Sequence, residues 1–132
     1  MATYPARSLG YQCISYLRRP ITFNIGTAGI VQVGTIPAGC LVLRAYVVVT
    51  TAFNFGTNNL VKVGIVGSDA SILSTVSLTT AGVIAATSVL ATATATTTAP
   101  IVDTQIIATS LCTGTAGTAG AAHIVVEYAP VA

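Results

Sequence analysis

Charge is what this sequence has least of. Asp, Glu, Lys and Arg together make up 6% of its residues, against about 25% in an ordinary globular domain. The whole set is Arg7, Arg18, Arg19, Arg44 and Lys62 against Asp69, Asp103 and Glu127, with His123 the one imidazole. A soluble monomer stays dispersed with a surface of roughly 25–35% charged residues, and this chain cannot build one. Its exterior is therefore Thr, Ser, Asn, Gly and backbone, or it is covered by partner subunits. The second alternative fits a repeated part of a larger assembly.

The same scarcity argues against catalysis. General acid–base work needs titratable groups that converge. His123 and Glu127 lie four residues apart on one expected strand, sharing a face but about 13 Å apart along it. Cys112 with His123, across an expected final hairpin, is the remaining arrangement for a nucleophile. No His, Cys or carboxylate spacing proposes a metal site. The glycine-rich run 114–120 lacks the Lys-Ser/Thr ending of a phosphate loop and reads as a flexible hairpin tip. The expectation is a chain with no enzymatic activity, no cofactor and no metal.

Cys13, Cys40 and Cys112 are odd in number and widely spaced, without a C-x-x-C pair, so they read as buried free thiols in a protein made in a reducing cytoplasm. The first eight residues lack the apolar core of a signal peptide. The most apolar run, 41–53, is interrupted by Arg44 and falls short of the ~20 residues of a membrane helix. Eight aromatics, three of them within the first sixteen positions, do not make the girdles of a transmembrane barrel. A formal charge of +2 is too small to imply nucleic acid by itself. The expected chain is soluble, with neither membrane nor direct nucleic acid as a partner.

What is present falls into two parts. Residues 1–20 hold Tyr4, Tyr11, Tyr16, Pro5, Pro20, Arg7, Arg18 and Arg19, with no acid and no sustained periodicity. They carry more apolar surface than a solvated tail and read as an arm that orders on a neighbour. Arg18-Arg19 suits a phosphate backbone or an acidic protein surface. Without a larger basic field, a salt-bridging contact inside an assembly, or plain solvation, is the better reading.

Residues 21–132 form the expected domain, rich in β-branched residues and broken at short intervals. Its length is enough for one domain that buries roughly two-thirds of its unfolded surface. Strands are expected at 21–25, 30–36, 40–51, 60–66, 88–98, 101–111 and 123–128, with a turn at Pro37-Ala38-Gly39. In 40–51, Leu41, Leu43, Ala45, Val47 and Val49 share one face, and Val42, Arg44, Tyr46, Val48 and Thr50 the other. That second face is too apolar for water, so the strand is either covered on both sides or exposed at a subunit contact. In 70–86, Ile72, Leu73 and Val76, with Leu78 following, suggest one short helical turn. Strands 105–111 and 123–128 are expected to form a hairpin. Thr92, Thr94 and Thr96 make one row of hydroxyls, a pattern similar to ice-binding surfaces, but a single row is equally an ordinary strand face. Seven or eight short strands with turns every 8–12 residues or so predict an all-β fold, a single antiparallel β-sandwich or jelly roll with an extended N-terminal arm.

The segment Gly34-Thr35-Ile36-Pro37-Ala38-Gly39-Cys40-Leu41-Val42 resembles small virion proteins of tailed bacteriophages. The similarity continues through Val48-Val49-Thr50-Thr51-Ala52-Phe53-Asn54, Val61-Lys62-Val63-Gly64 and the ending from Ala119 to Tyr128, and covers most of 21–132. The family resembled is the capsid decoration, or cement, proteins. The resemblance implies a β-sandwich or jelly roll, commonly trimeric, on the outer capsid surface of the virion, clamping major capsid protein subunits together. Tyr4, Arg7, Tyr11, Tyr16, Arg18 and Arg19 are then the expected capsid-contact arm. The competing expectations are another virion part, such as a head spike, fibre base or tail component, and a carbohydrate- or surface-binding sandwich. For the latter, Phe53 and Phe55 are the close candidates for a platform.

Overall fold

A computed structural model describes residues 14–85 and 102–130. Among them are eight strands and a single 3-10 turn at Phe23–Ile25. The strands are β1 (Ser15–Thr22), β2 (Ile30–Ile36), β3 (Cys40–Thr51), β4 (Leu60–Ile65), β5 (Ser68–Ser77), β6 (Gly82–Ala85), β7 (Thr104–Ser110) and β8 (Ala121–Pro130). They form two four-stranded sheets, ordered β1-β8-β3-β6 and β2-β7-β4-β5. Every pairing is antiparallel. The all-β sandwich expected from the sequence is what the chain adopts.

The pairings nest as they would in one long hairpin. β4 pairs with β5, β3 with β6, β2 with β7 and β1 with β8. Successive strands therefore often change sheet. This overturns the expected final hairpin: β7 lies between β2 and β4 in one sheet, and β8 between β1 and β3 in the other. The intervening segment is a crossover.

The core lies between the sheets. Ile21, Ala45, Val47, Val49, Ala122, Ile124 and Val126 enter it from the first sheet. Val33, Ile36, Val61, Val63, Ile106 and Ala108 enter from the second. These are compact branched or small side chains on a pleated surface, where alternate residues face the same way. Cys40 and Cys112 are buried free thiols, whereas Cys13 falls outside the described residues.

Three local expectations change. β1 starts at Ser15, so residues 15–20, assigned to the arm, belong to the first sheet, paired with residues 123–128 of β8; the expected strand 21–25 is the end of β1 followed by the 3-10 turn. Residues 70–77 are strand, not a helical turn. Val61 pairs with Val76 and Val63 with Leu73, so β5 advances by an extra residue where β4 does not. That bulge leaves Ile72, Leu73 and Val76 buried at a spacing that imitates a helix. In β3 the register with β8 slips at Leu43, between Val42 and Arg44. Cys40 and Val42 therefore point inward with Ala45, Val47 and Val49, while Leu41 and Leu43 are only half-buried. The expected strand 88–98 and its threonine row lie outside the described residues.

Candidate interaction surface

The crossover after β7 is pinned rather than loose. Asn54 Oδ1 accepts hydrogen bonds from the backbone N–H of Thr118 (2.8 Å) and Ala119 (2.9 Å), and its Nδ2 donates to Thr118 Oγ1 (2.9 Å). Gly56 N–H donates to the Thr115 carbonyl (3.0 Å) and Thr57 N–H to that of Thr113 (2.8 Å). A Cβ on Gly117 would lie 2.7 Å from the Phe55 ring, and one on Gly120, at φ 148°, 2.6 Å from the Phe53 ring. The glycines are there because two aromatic rings pass beneath the loop. This corrects the flexible tip, and it places Phe53 and Phe55 in the core, where they form no carbohydrate platform. Asn59, also buried, closes the segment by accepting from Phe55 N–H (2.8 Å) and donating to the Phe55 carbonyl (3.0 Å).

Cys112 and His123 do not converge. Cys112 lies in the core with its thiol 3.8 Å from the Leu60 carbonyl oxygen. His123 alternates with the core residues Ala122 and Ile124 and so lies on the outward side of β8. Among the described residues no three His, Cys, Asp or Glu side chains gather to hold a metal ion, and no helix is long and apolar enough to cross a membrane.

What does gather is the outward face of the first sheet. Direct cross-strand partners lie side by side on one face, which arranges this face in three rows. Tyr16 of β1 stands beside Glu127 of β8, which stands beside Arg44 of β3. Next come Arg18, Val125 and Tyr46. The third row is Pro20, His123, Val48 and Val83, the last on β6. Tyr16 is 65% exposed and Val83 68%, whereas Val125 at the centre is only 8% exposed, shielded by its neighbours. His123 Nδ1 is buried without a hydrogen-bond partner among the described residues, opposite Pro20, which has no N–H to offer.

One end of this face is fixed electrostatically. Arg44 donates from Nε to Glu127 Oε2 (2.6 Å) and from Nη2 to Oε1 (3.0 Å), the two-pronged geometry of strong guanidinium–carboxylate pairs. Its guanidinium also stands 5.3 Å from the centre of the Tyr46 ring, within cation–π range. The hydrogen bonds from Arg44 hold the Glu127 carboxyl below the ordinary carboxylate range; partial burial opposes this, and the Arg44 charge and the Tyr46 hydroxyl add to it. The Arg44 pKa is raised in return, through the same hydrogen bonds first.

Of the six residues expected to make the contact arm, Tyr16, Arg18 and Arg19 are on β1 and exposed. Tyr4, Arg7 and Tyr11 lie outside the described residues. Sequence reasoning singled out the second face of β3, and Arg44, Tyr46 and Val48 do share an outward face. It missed Val83, Val125 and His123 as their neighbours, because that grouping depends on β8 sitting between β1 and β3.

No known family pattern and no curated protein sequence matches the chain. Among solved structures its fold is similar to that of a chain in the cyanophage Pam1 capsid asymmetric unit. The two share 21% sequence identity and a TM-score of 0.60, over 97% of this chain and 93% of the other. At that identity the likeness is one of fold.

Proposed function

We propose that this chain is a structural, non-enzymatic virion protein of a tailed bacteriophage. In the finer reading it is a capsid decoration, or cement, protein: a homotrimer on the outer capsid that holds major capsid protein subunits together. The observation that carries the proposal is the near end-to-end likeness to a chain of a phage capsid, which matches one whole chain to another rather than a fragment to a larger machine. The nested pairing of the strands supports it, since we read the order β1-β8-β3-β6 over β2-β7-β4-β5 as an eight-stranded jelly roll, an architecture that recurs in viral capsid domains. The shortage of charge supports it too. A domain with 6% charged residues suits life among close neighbours better than life alone in water.

Quantitative mass spectrometry of purified virions, counting this chain against the major capsid protein, tests the proposal. A ratio of the same order as the capsid protein is the expected result for a shell-wide cement. A ratio of a few copies per particle would transfer it to a spike, vertex or tail position, and absence from the particle would end the virion reading.

A further inference from the structure

We infer that the outward face of the first sheet docks against a different protein, through an apolar patch of that partner bordered by carboxylates, and not against a second copy of this chain. The inference rests on the virion reading above and adds to it the contact face and the chemistry of the partner. The centre of the face is apolar or aromatic: Tyr16, Tyr46, Val48, Val83 and Val125, with Pro20 beside them. No described element covers it, although β3 and β8 are the two inner strands of their sheet. Tyr16 and Val83 are exposed and Tyr46 and Val48 half-buried around the shielded Val125, and contiguous apolar surface of this kind marks interaction sites.

The charges decide what fits there. The face carries Arg18, Arg44 and Glu127. Arg44 and Glu127 neutralise each other, which leaves Arg18 as its net charge; Arg19, paired with the core-facing Ile124, belongs to the other side of β1. A second copy stacked on this face would set positive against positive. A copy stacked face to face also keeps its other acids away, because both lie in or beside the second sheet. Asp69 is bound to Lys62 at 2.7 Å in the other sheet, and Asp103, just before β7, accepts from Ala38 N–H at 3.0 Å. Like charges brought together across an interface oppose association, and complementary ones select the partner. A partner with its own carboxylates at the border of an apolar patch relieves both the exposed Val83 and Arg18, which has no carboxylate partner among the described residues. The homotrimer contact then lies on another surface.

The test uses the full-length chain and capsids of the same phage assembled without it. Arg18→Glu and Val83→Asp change the proposed face. Gln32→Glu makes the same kind of charge change on the outward side of the second sheet. Each protein is titrated onto the capsids, and its oligomeric state is measured separately by sedimentation. The expected result is at least a tenfold loss of capsid affinity in Arg18→Glu and in Val83→Asp, wild-type affinity in Gln32→Glu, and an unaltered oligomeric state in all three. Wild-type attachment by both face variants would overturn the inference while leaving the virion reading intact. Dissociation of the oligomer by either face variant would overturn it in favour of a second copy. Failure of the wild-type chain to attach at all would remove the cement reading and this contact with it.

Discussion

The two sheets share one core but present opposite outsides. The second sheet turns Gln32, Thr35, Gln105, Lys62 and Ser77 outward, and Lys62 has its counter-ion in Asp69. Its surface is the more polar of the two, although Ile107, paired with Gln32, lies on that side at 9% exposure and Ile30 is exposed at the edge. The first sheet turns tyrosines, valines and an arginine without a carboxylate partner among the described residues to the same solvent. With so few charges in the chain, their distribution is informative: each side holds one ion pair and leaves one charge over, Arg18 on the first sheet and Asp103 beside the second. Predictions can attack this comparison, beginning with the strand that has both a core side and the contact side.

On β8, Ile124 points into the core and is fully buried, while His123 next to it points outward. Ile124→Ala should destabilise the fold by about 2–5 kcal/mol, the cost of lost burial and a residual cavity. His123→Ala should change stability by less than about 1 kcal/mol, because its Nδ1 has no hydrogen bond to lose among the described residues. Denaturant unfolding of both variants checks this. Equal losses would mean that the outward side is as tightly packed as the core, and the contrast between the two sides would collapse.

The connection that ties the two sheets at one end offers a finer comparison. Asn59 is buried and serves both backbone groups of Phe55; Asn54 is exposed and serves Thr118 and Ala119. Asn59→Ala leaves buried polar groups unpaired and should cost about 2 kcal/mol. Asn54→Ala leaves groups that water can reach, and should cost about 1 kcal/mol. Thermal unfolding that ranked the two the other way round would show that the crossover, and not the buried amide clip, is what holds this end together.

The strands were legible in the sequence wherever alternation ran unbroken. The expected bounds of β2 and β3 are those found, and the turn at Pro37-Ala38-Gly39 is marked by the hydrogen bond from Cys40 N–H to the Pro37 carbonyl. Legibility failed where an extra residue entered a strand, because a bulge disguises the period. In β5 it made Ile72, Leu73 and Val76 look helical, and in β3 it moved Leu41 and Leu43 off the core face. Pairing was the second loss. Proximity in sequence suggested β7 with β8, but β8 serves as partner to β1 and β3, more than 60 residues away in the case of β3. The same long-range pairing hid the contact face. Its β3 residues could be picked out locally as too apolar for water, but Val83, Val125 and His123 join them only once the sheet order is known. The glycine-rich segment read as slack because its partners, the rings of Phe53 and Phe55, are some 60 residues earlier.

The smallest effect concerns the one ion pair on the contact side. Because the folded protein holds the Glu127 carboxyl below its ordinary value, the pair contributes its stability fully above the unfolded carboxylate pKa of about 4.3. That contribution fades as the pH falls through the lowered folded value, since the protonated carboxyl no longer attracts Arg44. Arg44 stays charged throughout, so the window is set by Glu127 alone. Glu127→Gln should therefore reduce the difference in unfolding midpoint between pH 7 and pH 3 relative to wild type, with the fold unchanged. The surface Arg44 is well exposed and salt screens such pairs, so the difference should be small and should shrink further in high salt. An identical pH response in the Gln variant would mean that Arg44 and Glu127 do not hold each other in solution. Arg44 would then join Arg18 as a cation for the partner to satisfy, and the contact face would be more positive, hence still less able to accept a copy of itself.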